Sequence, residues 1–117
     1  MGACTATVDP DGFSYVDASG GYMVRCKITP SSSYAAGGDT IAASIIGLTQ
    51  IQKLSFSGTS DGGSGVTTSY IAAPVYDSSN WNVTNVQVFQ SAAASNPFTE
   101  ASGNLSTITF DAVAWGF

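Results

Sequence analysis

The sequence feature that most constrains the fold is the run of residues 106–117 (STITFDAVAWGF), which contains no Gly or Pro before Gly116. Its β-branched and aromatic residues suit a strand better than a helix. Alternate side chains of a strand point to opposite faces. One face of this run is apolar throughout: Ile108, Phe110, Ala112 and Ala114. The other face, Thr107, Thr109 and Asp111, turns apolar at Val113. We therefore predict a central strand with one face in the core and the other covered, near its end, by a second sheet or another subunit.

Four more segments have strand patterning between turn signals rich in Gly, Pro, Asn and Ser: residues 22–29, 48–57, 66–77 and 81–90. A short edge strand is also predicted at residues 13–16. Residues 22–29 (YMVRCKIT) alternate clearly. Their inward set is predicted to be Tyr22, Val24, Cys26 and Ile28. Arg25 and Lys27 then share the exposed face, where charged side chains protect a sheet against edge-to-edge pairing.

Two of these segments carry irregularities. In residues 48–57 (LTQIQKLSFS), one side is predicted to hold Gln50, Gln52, Leu54 and Phe56 and the other Thr49, Ile51, Lys53 and Ser55. The alternation slips around Lys53-Leu54, so we expect a bulge or bend there. Pro74 has no amide hydrogen for a ladder, so its strand is expected at a sheet edge or a bulge. Residues 77–80 are predicted to form a turn, and residues 81–90 the return strand of a hairpin.

The connecting segments, residues 30–40, 58–65 and 91–104, are interpreted as loops because Gly, Ser, Pro and Asn dominate them. Residues 41–46 are predicted to form one helical turn that Asp39 or Thr40 caps and Gly47 ends. The sequence thus predicts an all-β fold with little helix, a compact antiparallel β-sandwich (jelly-roll-like) or a small barrel. Residues 22–117 would form this domain, and residues 1–21 an extended N-terminal arm.

The composition excludes several classes of partner. Charged residues make up only 9 % of the 117 residues, against about a quarter in typical soluble domains. Net charge is −5, and Arg25, Lys27 and Lys53 are the only cations, so we expect no binding to nucleic acid or to anionic membranes. The start of the sequence has no signal-peptide pattern. We also expect that a partner covers apolar surface of this chain, as in a homo-oligomer.

The residues of common catalytic and metal sites are missing or scattered. The chain has no histidine, which removes the usual base of Ser and Cys nucleophiles and the commonest metal ligand. The run of residues 9–12 (DPDG) lacks the later ligands of a calcium loop, and most Asp residues adjoin Gly, Pro or Ser, where Asp forms turns. Cys4 and Cys26 are predicted to be free thiols. We expect no catalytic, cofactor-binding or metal-binding residues and no enzyme activity.

Aromatic side chains are the remaining candidates for recognition: Tyr70, Tyr76, Trp81, Phe89, Trp115 and Phe117. They are interpreted either as a sugar-binding face or, more simply, as core and subunit interface. Trp81 stands between Asn80 and Asn82 in a polar, turn-like context, and it is the aromatic residue that we most expect to be exposed for a contact.

Five short motifs follow one another along the chain: residues 34–39 (YAAGGD), 46–51 (IGLTQI), 70–77 with a central VYD, 85–89 (NVQVF) and 104–110 (NLSTITF). With these motifs, the chain from Tyr34 onward resembles a family of small structural proteins of tailed bacteriophages, the head decoration (cement) and other auxiliary virion proteins. The resemblance implies a compact β-sandwich, often trimeric, that sits on a capsid lattice. The chain departs from the family pattern in lacking basic residues in the hairpin strand and in its longer N-terminal segment.

The resemblance and the missing catalytic residues together predict a structural virion protein. It would bind the major capsid protein as a homotrimer on the capsid exterior, after synthesis in the bacterial cytoplasm, and stabilise the head against internal DNA pressure. The residues predicted at the oligomer or capsid interface are Trp115, Phe117, Val113 and Trp81. The alternative is a carbohydrate-binding or adhesin module, carried by a virion or a cell surface.

Overall fold

The computed structural model describes residues 2–9, 14–16, 21–59, 69–91 and 98–117. Within these ranges there is one 3₁₀ helix, Ala43–Ile46, and the strands are β1 (Thr5–Val8), β2 (Ser14–Val16), β3 (Tyr22–Thr29), β4 (Asp39–Thr40), β5 (Ile51–Thr59), β6 (Ser69–Tyr76), β7 (Val83–Ser91), β8 (Thr99–Glu100) and β9 (Phe110–Gly116). The strands form two sheets with antiparallel pairing. The predicted all-β fold is confirmed.

The larger sheet has the strand order β1-β3-β9-β5, and β2 also pairs with β3. β9 lies between β3 and β5, as predicted for a central strand. Its alternation is also confirmed, because the side chains of Phe110, Ala112 and Ala114 are buried and the intervening ones are partly exposed. The regular strand begins only at Phe110, since residues 106 and 107 form a turn and residues 108 and 109 are not in the ladder. Beyond β9, the Phe117 carbonyl accepts hydrogen bonds from the amides of Thr49 and Gln50.

The alternation predicted for β5 is wrong at its start. Gln52 has no residue opposite it in β9, because the register passes from Ile51 opposite Gly116 to Lys53 opposite Trp115. This extra residue shifts the pattern by one position. Ile51 is therefore buried, whereas Lys53 is exposed on the outer face. The irregularity lies just before the predicted position at Lys53-Leu54, and a second register shift follows at residues 56–58.

The smaller sheet has the order β4-β7-β6, and β8 also pairs with β7. β6 and β7 form the predicted hairpin, and Val86 and Val88 are fully buried. Among the described strands β6 pairs with β7 alone, so Pro74 lies on an edge strand, as predicted. β4 and β8 fall in segments that we interpreted as loops. Each has only two residues, too few for a period-two pattern.

Three details differ from the sequence-based expectations. The 3₁₀ helix begins at Ala43, and its N-cap, Ala42, makes no side-chain hydrogen bond. Asp39 does not cap it, because the Asp39 carboxylate instead accepts hydrogen bonds from the backbone amide and hydroxyl of Ser31, at 2.6 and 3.0 Å. Tyr22, predicted to point inward, is 42 % exposed, since it lies at the sheet end opposite Gly116, which has no side chain to cover it.

Parts of residues 1–21, the predicted extended arm, belong to the larger sheet. Thr5–Val8 pairs with residues 26–29 of β3, and Ser14–Val16 pairs with residues 22–24. Ala3 also forms a parallel bridge to Thr40 of the smaller sheet. Residue 21 is therefore not the boundary of the sheet. Residues 10–12 of the DPDG turn, residues 60–65 of the predicted glycine-rich loop and residues 66–68 of the predicted strand lie outside the described residues.

The two sheets share a hydrophobic core. Val24, Ile28 and Leu54 of the larger sheet and Val83 and Val86 of the smaller sheet belong to one buried cluster. A second cluster is built from buried residues around the beginning of β9: Tyr34, Val88, Ala101, Leu105, Ile108 and Phe110. No helix in the described ranges has the length and apolar character needed to cross a membrane.

Candidate functional site

The outer face of β3, β9 and β5 collects all three cations of the chain. Trp115 lies opposite Met23 and Lys53 in the register, Val113 opposite Arg25, and Asp111 opposite Lys27. We call this surface the β9 outer face, and it consists of Met23, Arg25, Lys27, Lys53, Ser55, Asp111, Val113 and Trp115. An apolar strip of partly exposed side chains thus lies between exposed basic ones.

Charge contacts fix several of these side chains. The Lys53 ammonium lies 5.2 Å from the centroid of the Trp115 ring, which is within cation–π range. The Arg25 guanidinium lies 3.4 Å from the Asp111 carboxylate and 3.6 Å from that of Asp9. Such exposed ion pairs contribute at most about 1 kcal/mol to stability, but they orient the side chains. The arrangement of an apolar centre with a charged rim is typical of a protein–protein interface.

A depression of about 200 Å³ opens beside Arg25 at the border of this face. Its lining consists of Thr7, Val8, Asp9, Arg25, Cys26, Lys27 and Asp111. Small-molecule sites usually have volumes of about 300–1,000 Å³, so this depression is small for a ligand pocket. Burial, and then the charge of Asp111, raises the pKa of the Cys26 thiol to about 11. A thiol that stays protonated at neutral pH is a poor nucleophile, so the depression does not provide thiol chemistry.

The other cysteine is inert for the same reason. Cys4 is buried and not disulfide-bonded, and its burial, followed by the charge of Asp39, raises its pKa to about 12. The prediction that Cys4 and Cys26 are free thiols is confirmed. Cys26, with 1 % of its surface exposed, packs as a small apolar residue in the core.

Two acidic side chains hold loops onto the smaller sheet. Glu100 Oε2 accepts hydrogen bonds from the Tyr34 hydroxyl at 2.7 Å and from the Gly37 amide at 3.0 Å. The Tyr34 hydroxyl in turn accepts a hydrogen bond from the Val88 amide at 2.8 Å, and burial raises the pKa of Tyr34. Asp39 is fully buried with its two contacts to Ser31. Residues 34–39, one of the motifs behind the resemblance, therefore have a structural role.

Metal binding finds no support in the part of the chain that the structure describes. There, no group of three or more His, Cys, Asp or Glu side chains is placed to hold a metal ion. The carboxylates of Asp39 and Glu100 accept hydrogen bonds from the loop residues Ser31 and Tyr34, and those of Asp9 and Asp111 contact Arg25. Each of these four carboxylates therefore has a contact that holds a loop or a strand in place.

A pair of exposed aromatic rings lies at the turn between β6 and β7. Trp81 is 68 % exposed and Tyr76 is 56 % exposed, and their rings are parallel with centroids 5.9 Å apart. The backbone of Trp81 is left-handed, with a φ of 68°. We call these two residues the hairpin platform. The predicted exposure of Trp81 is confirmed, whereas its pairing with Tyr76 was not predicted.

The structure divides the four predicted interface residues between two places. Val113 and Trp115 lie on the β9 outer face, and Phe117, 47 % exposed, follows directly after β9. Trp81 belongs to the hairpin of the other sheet. The six candidate aromatics do not make one face either, because Tyr70 packs against the second core cluster and Phe89 lies opposite Ile71 in the smaller sheet.

Comparison with known proteins returns no relative. No protein-family model, no curated protein and no solved structure matches this chain. The resemblance to phage decoration proteins thus stays a prediction, and the function has to be argued from the two surfaces described above.

Proposed function

We propose that this chain is a structural virion protein, a capsid decoration protein that binds the outer surface of the head. The observation that carries the proposal is the β9 outer face, where Trp115 and Val113 of β9 lie between Met23 and Arg25 of β3 and Lys53 and Ser55 of β5. Trp, Met and Arg are enriched in protein–protein interfaces. The resemblance of the sequence supplies the partner, the major capsid protein, and a homotrimeric β-sandwich as the binding unit.

The charge distribution supports contact with a protein rather than with the packaged DNA. Net charge is −5, and the three cations share one face with Asp111. Outside that face every charged side chain of the sequence is acidic, and beside it Asp9 and Asp111 contact Arg25, which weakens the attraction of the face for a polyanion. Binding from the outside is the remaining way to stabilise a filled head. Each copy need contribute only a few kcal/mol, since linked copies in an oligomer gain from effective concentration.

The test uses particles of the source virus that lack this protein. We expect them to assemble but to release DNA at a lower temperature than complete particles, and added purified protein to restore the original release temperature. If the particles without it are as heat-resistant as complete ones, the decoration function is wrong.

A pair of matched variants tests the contact surface. Val113→Asp places a charge in the apolar strip of the β9 outer face, and we expect at least a tenfold loss of particle binding, since central interface residues carry about 1.4 kcal/mol or more. Ile71→Asp is the control, because Ile71 is 50 % exposed on the other sheet. Equal binding by both variants, with wild-type unfolding curves, would exclude the β9 outer face as the contact.

A further inference from the structure

The left-handed backbone conformation of Trp81 is energetically unfavourable, and burial of its side chain does little to offset this. It is the only non-glycine residue with a positive φ in the described ranges, whereas Gly37, Gly38, Gly47 and Gly103 occupy the other positive-φ positions. A left-handed backbone is unfavourable for a residue with a side chain and is most easily adopted by Gly or Asn. Local backbone geometry therefore favours almost any turn residue over tryptophan at this position.

Packing does not explain the tryptophan either. Residues 76–81 are six consecutive exposed residues, and Trp81 leaves 68 % of its surface in water. A buried tryptophan contributes through the apolar area that it removes from solvent, and Trp81 removes little. Strained residues that stability does not explain are concentrated at binding and catalytic sites. The observation thus points to a ligand for the exposed ring.

The turn holds the platform in one orientation before any ligand arrives. The Trp81 amide donates to the Asp77 carbonyl at 2.7 Å, and the Asp77 amide donates to the Asn82 carbonyl at 2.7 Å. The Asp77 side chain accepts a hydrogen bond from the Ser79 amide, also at 2.7 Å. Tyr76 lies parallel to the Trp81 ring. A preorganised surface binds with a lower ordering cost.

The side chains around the platform indicate the class of ligand. Residues 76–82 (YDSSNWN) contain two aromatic rings, one carboxylate, two amides and three hydroxyls, and no aliphatic side chain. A sugar ring has a complementary surface, since its C–H groups fit the electron-rich face of an aromatic ring and its hydroxyls pair with carboxylates and amides. We propose that the hairpin platform is a binding site for neutral carbohydrate.

Other ligand classes fit the platform less well. The turn has no cation, because all three lie on the β9 outer face, and Asp77 is acidic. A phosphate backbone or an anionic sugar would therefore be repelled. Protein hot spots lie within a well-packed patch that excludes water, whereas the platform is two rings on a turn of exposed polar residues. The carbohydrate site is independent of the proposed capsid function, since it belongs to the other sheet.

Saturation-transfer NMR on the full chain tests the proposal. The probes are neutral oligomers of glucose, galactose and N-acetylglucosamine, with an anionic uronic-acid oligomer for comparison. We expect saturation transfer to ring protons of at least one neutral oligomer, together with a change in tryptophan fluorescence. Trp81→Gly should weaken that binding at least tenfold and leave the urea unfolding midpoint no lower than wild type. Trp115→Phe, which changes the other tryptophan, should bind as wild type does.

Three outcomes would overturn the carbohydrate proposal, and a fourth separates it from the capsid function. Absence of transfer to all neutral oligomers at millimolar concentration means that the platform does not bind these sugars. Unchanged binding by Trp81→Gly would place the sugar elsewhere on the chain. If neutral sugars fail while Trp81→Gly weakens binding to capsid particles, the platform is a protein contact. Failure of the particle test together with sugar binding would remove the capsid function and leave this site intact.

Discussion

Replacing Tyr34 with phenylalanine is the most direct test of how the loop before β4 is held to the smaller sheet. Tyr34 is 3 % exposed, and its single hydroxyl accepts the Val88 amide and donates to Glu100. Each hydrogen bond contributes about 1 kcal/mol net, and a buried amide left without a partner costs about 1–3 kcal/mol. The free energy of unfolding should therefore fall by about 2–4 kcal/mol, a large part of the 5–15 kcal/mol typical of a domain.

Urea unfolding followed by circular dichroism measures this loss. With a urea slope of about 1–3 kcal/mol/M for small proteins, the midpoint should fall by roughly 1 M or more while the slope stays unchanged. Tyr22→Phe is the control, because Tyr22 is 42 % exposed and its change should stay within about 0.5 kcal/mol. A Tyr34→Phe effect as small as that of the control would refute the argument that this hydroxyl holds the loop.

Two further predictions concern backbone space and pH. Gly38→Ala should lower the free energy of unfolding by about 2 kcal/mol or more, because the added Cβ would lie 2.5 Å from the Val86 carbonyl oxygen. Gly37→Ala meets no atom within 4 Å, so its positive φ alone should lower the free energy of unfolding by about 1 kcal/mol. Equal urea midpoints for the two variants would contradict this. The raised pKa of Cys26, about 11 against a usual 9.0, means that the folded protein keeps a proton that the unfolded chain loses. The contribution of the Cys26 thiol to the free energy of unfolding is therefore fully present below about pH 9. It should fall as pH rises toward 11, by at most about 1.4 kcal/mol per pH unit. Cys26→Ala should reduce this slope in unfolding curves measured from pH 8 to 10.5, and a slope unchanged by the substitution would count against it.

Side-chain alternation predicts a strand well where the strand is long and covers a core. It gives the faces of β9 and of the central part of β7 correctly, because Phe110, Ala112 and Ala114 in β9 and Val86 and Val88 in β7 are buried in the core. It fails in β5, since nothing in the sequence marks Gln52 as the residue without a partner. It also misses β4 and β8, where two residues pair only because tertiary contacts bring them to β7.

The candidate sites were predictable to a similar degree. The polar neighbours of Trp81 indicate its exposure, whereas its stacking on Tyr76 depends on the register shift between Val75 and Tyr76 in the hairpin. The gathering of Lys53 with Arg25 and Lys27 depends on β9 lying between strands that are distant in sequence. The periodicity of side chains within one segment does not tell which strands pair with β9 in the sheet.

The central position of β9 has a consequence for how the chain folds during synthesis. β3 and β5 leave the ribosome first, but neither pairs with the other, and β9 follows both. Thr29 and Thr109, whose hydroxyls are hydrogen-bonded at 3.0 Å, are 80 residues apart. At about 5–20 residues per second of translation, the apolar side of β3 stays without its neighbour for roughly 4–16 s. The larger sheet is therefore completed only after β9 has been synthesised, well after β3 has left the ribosome.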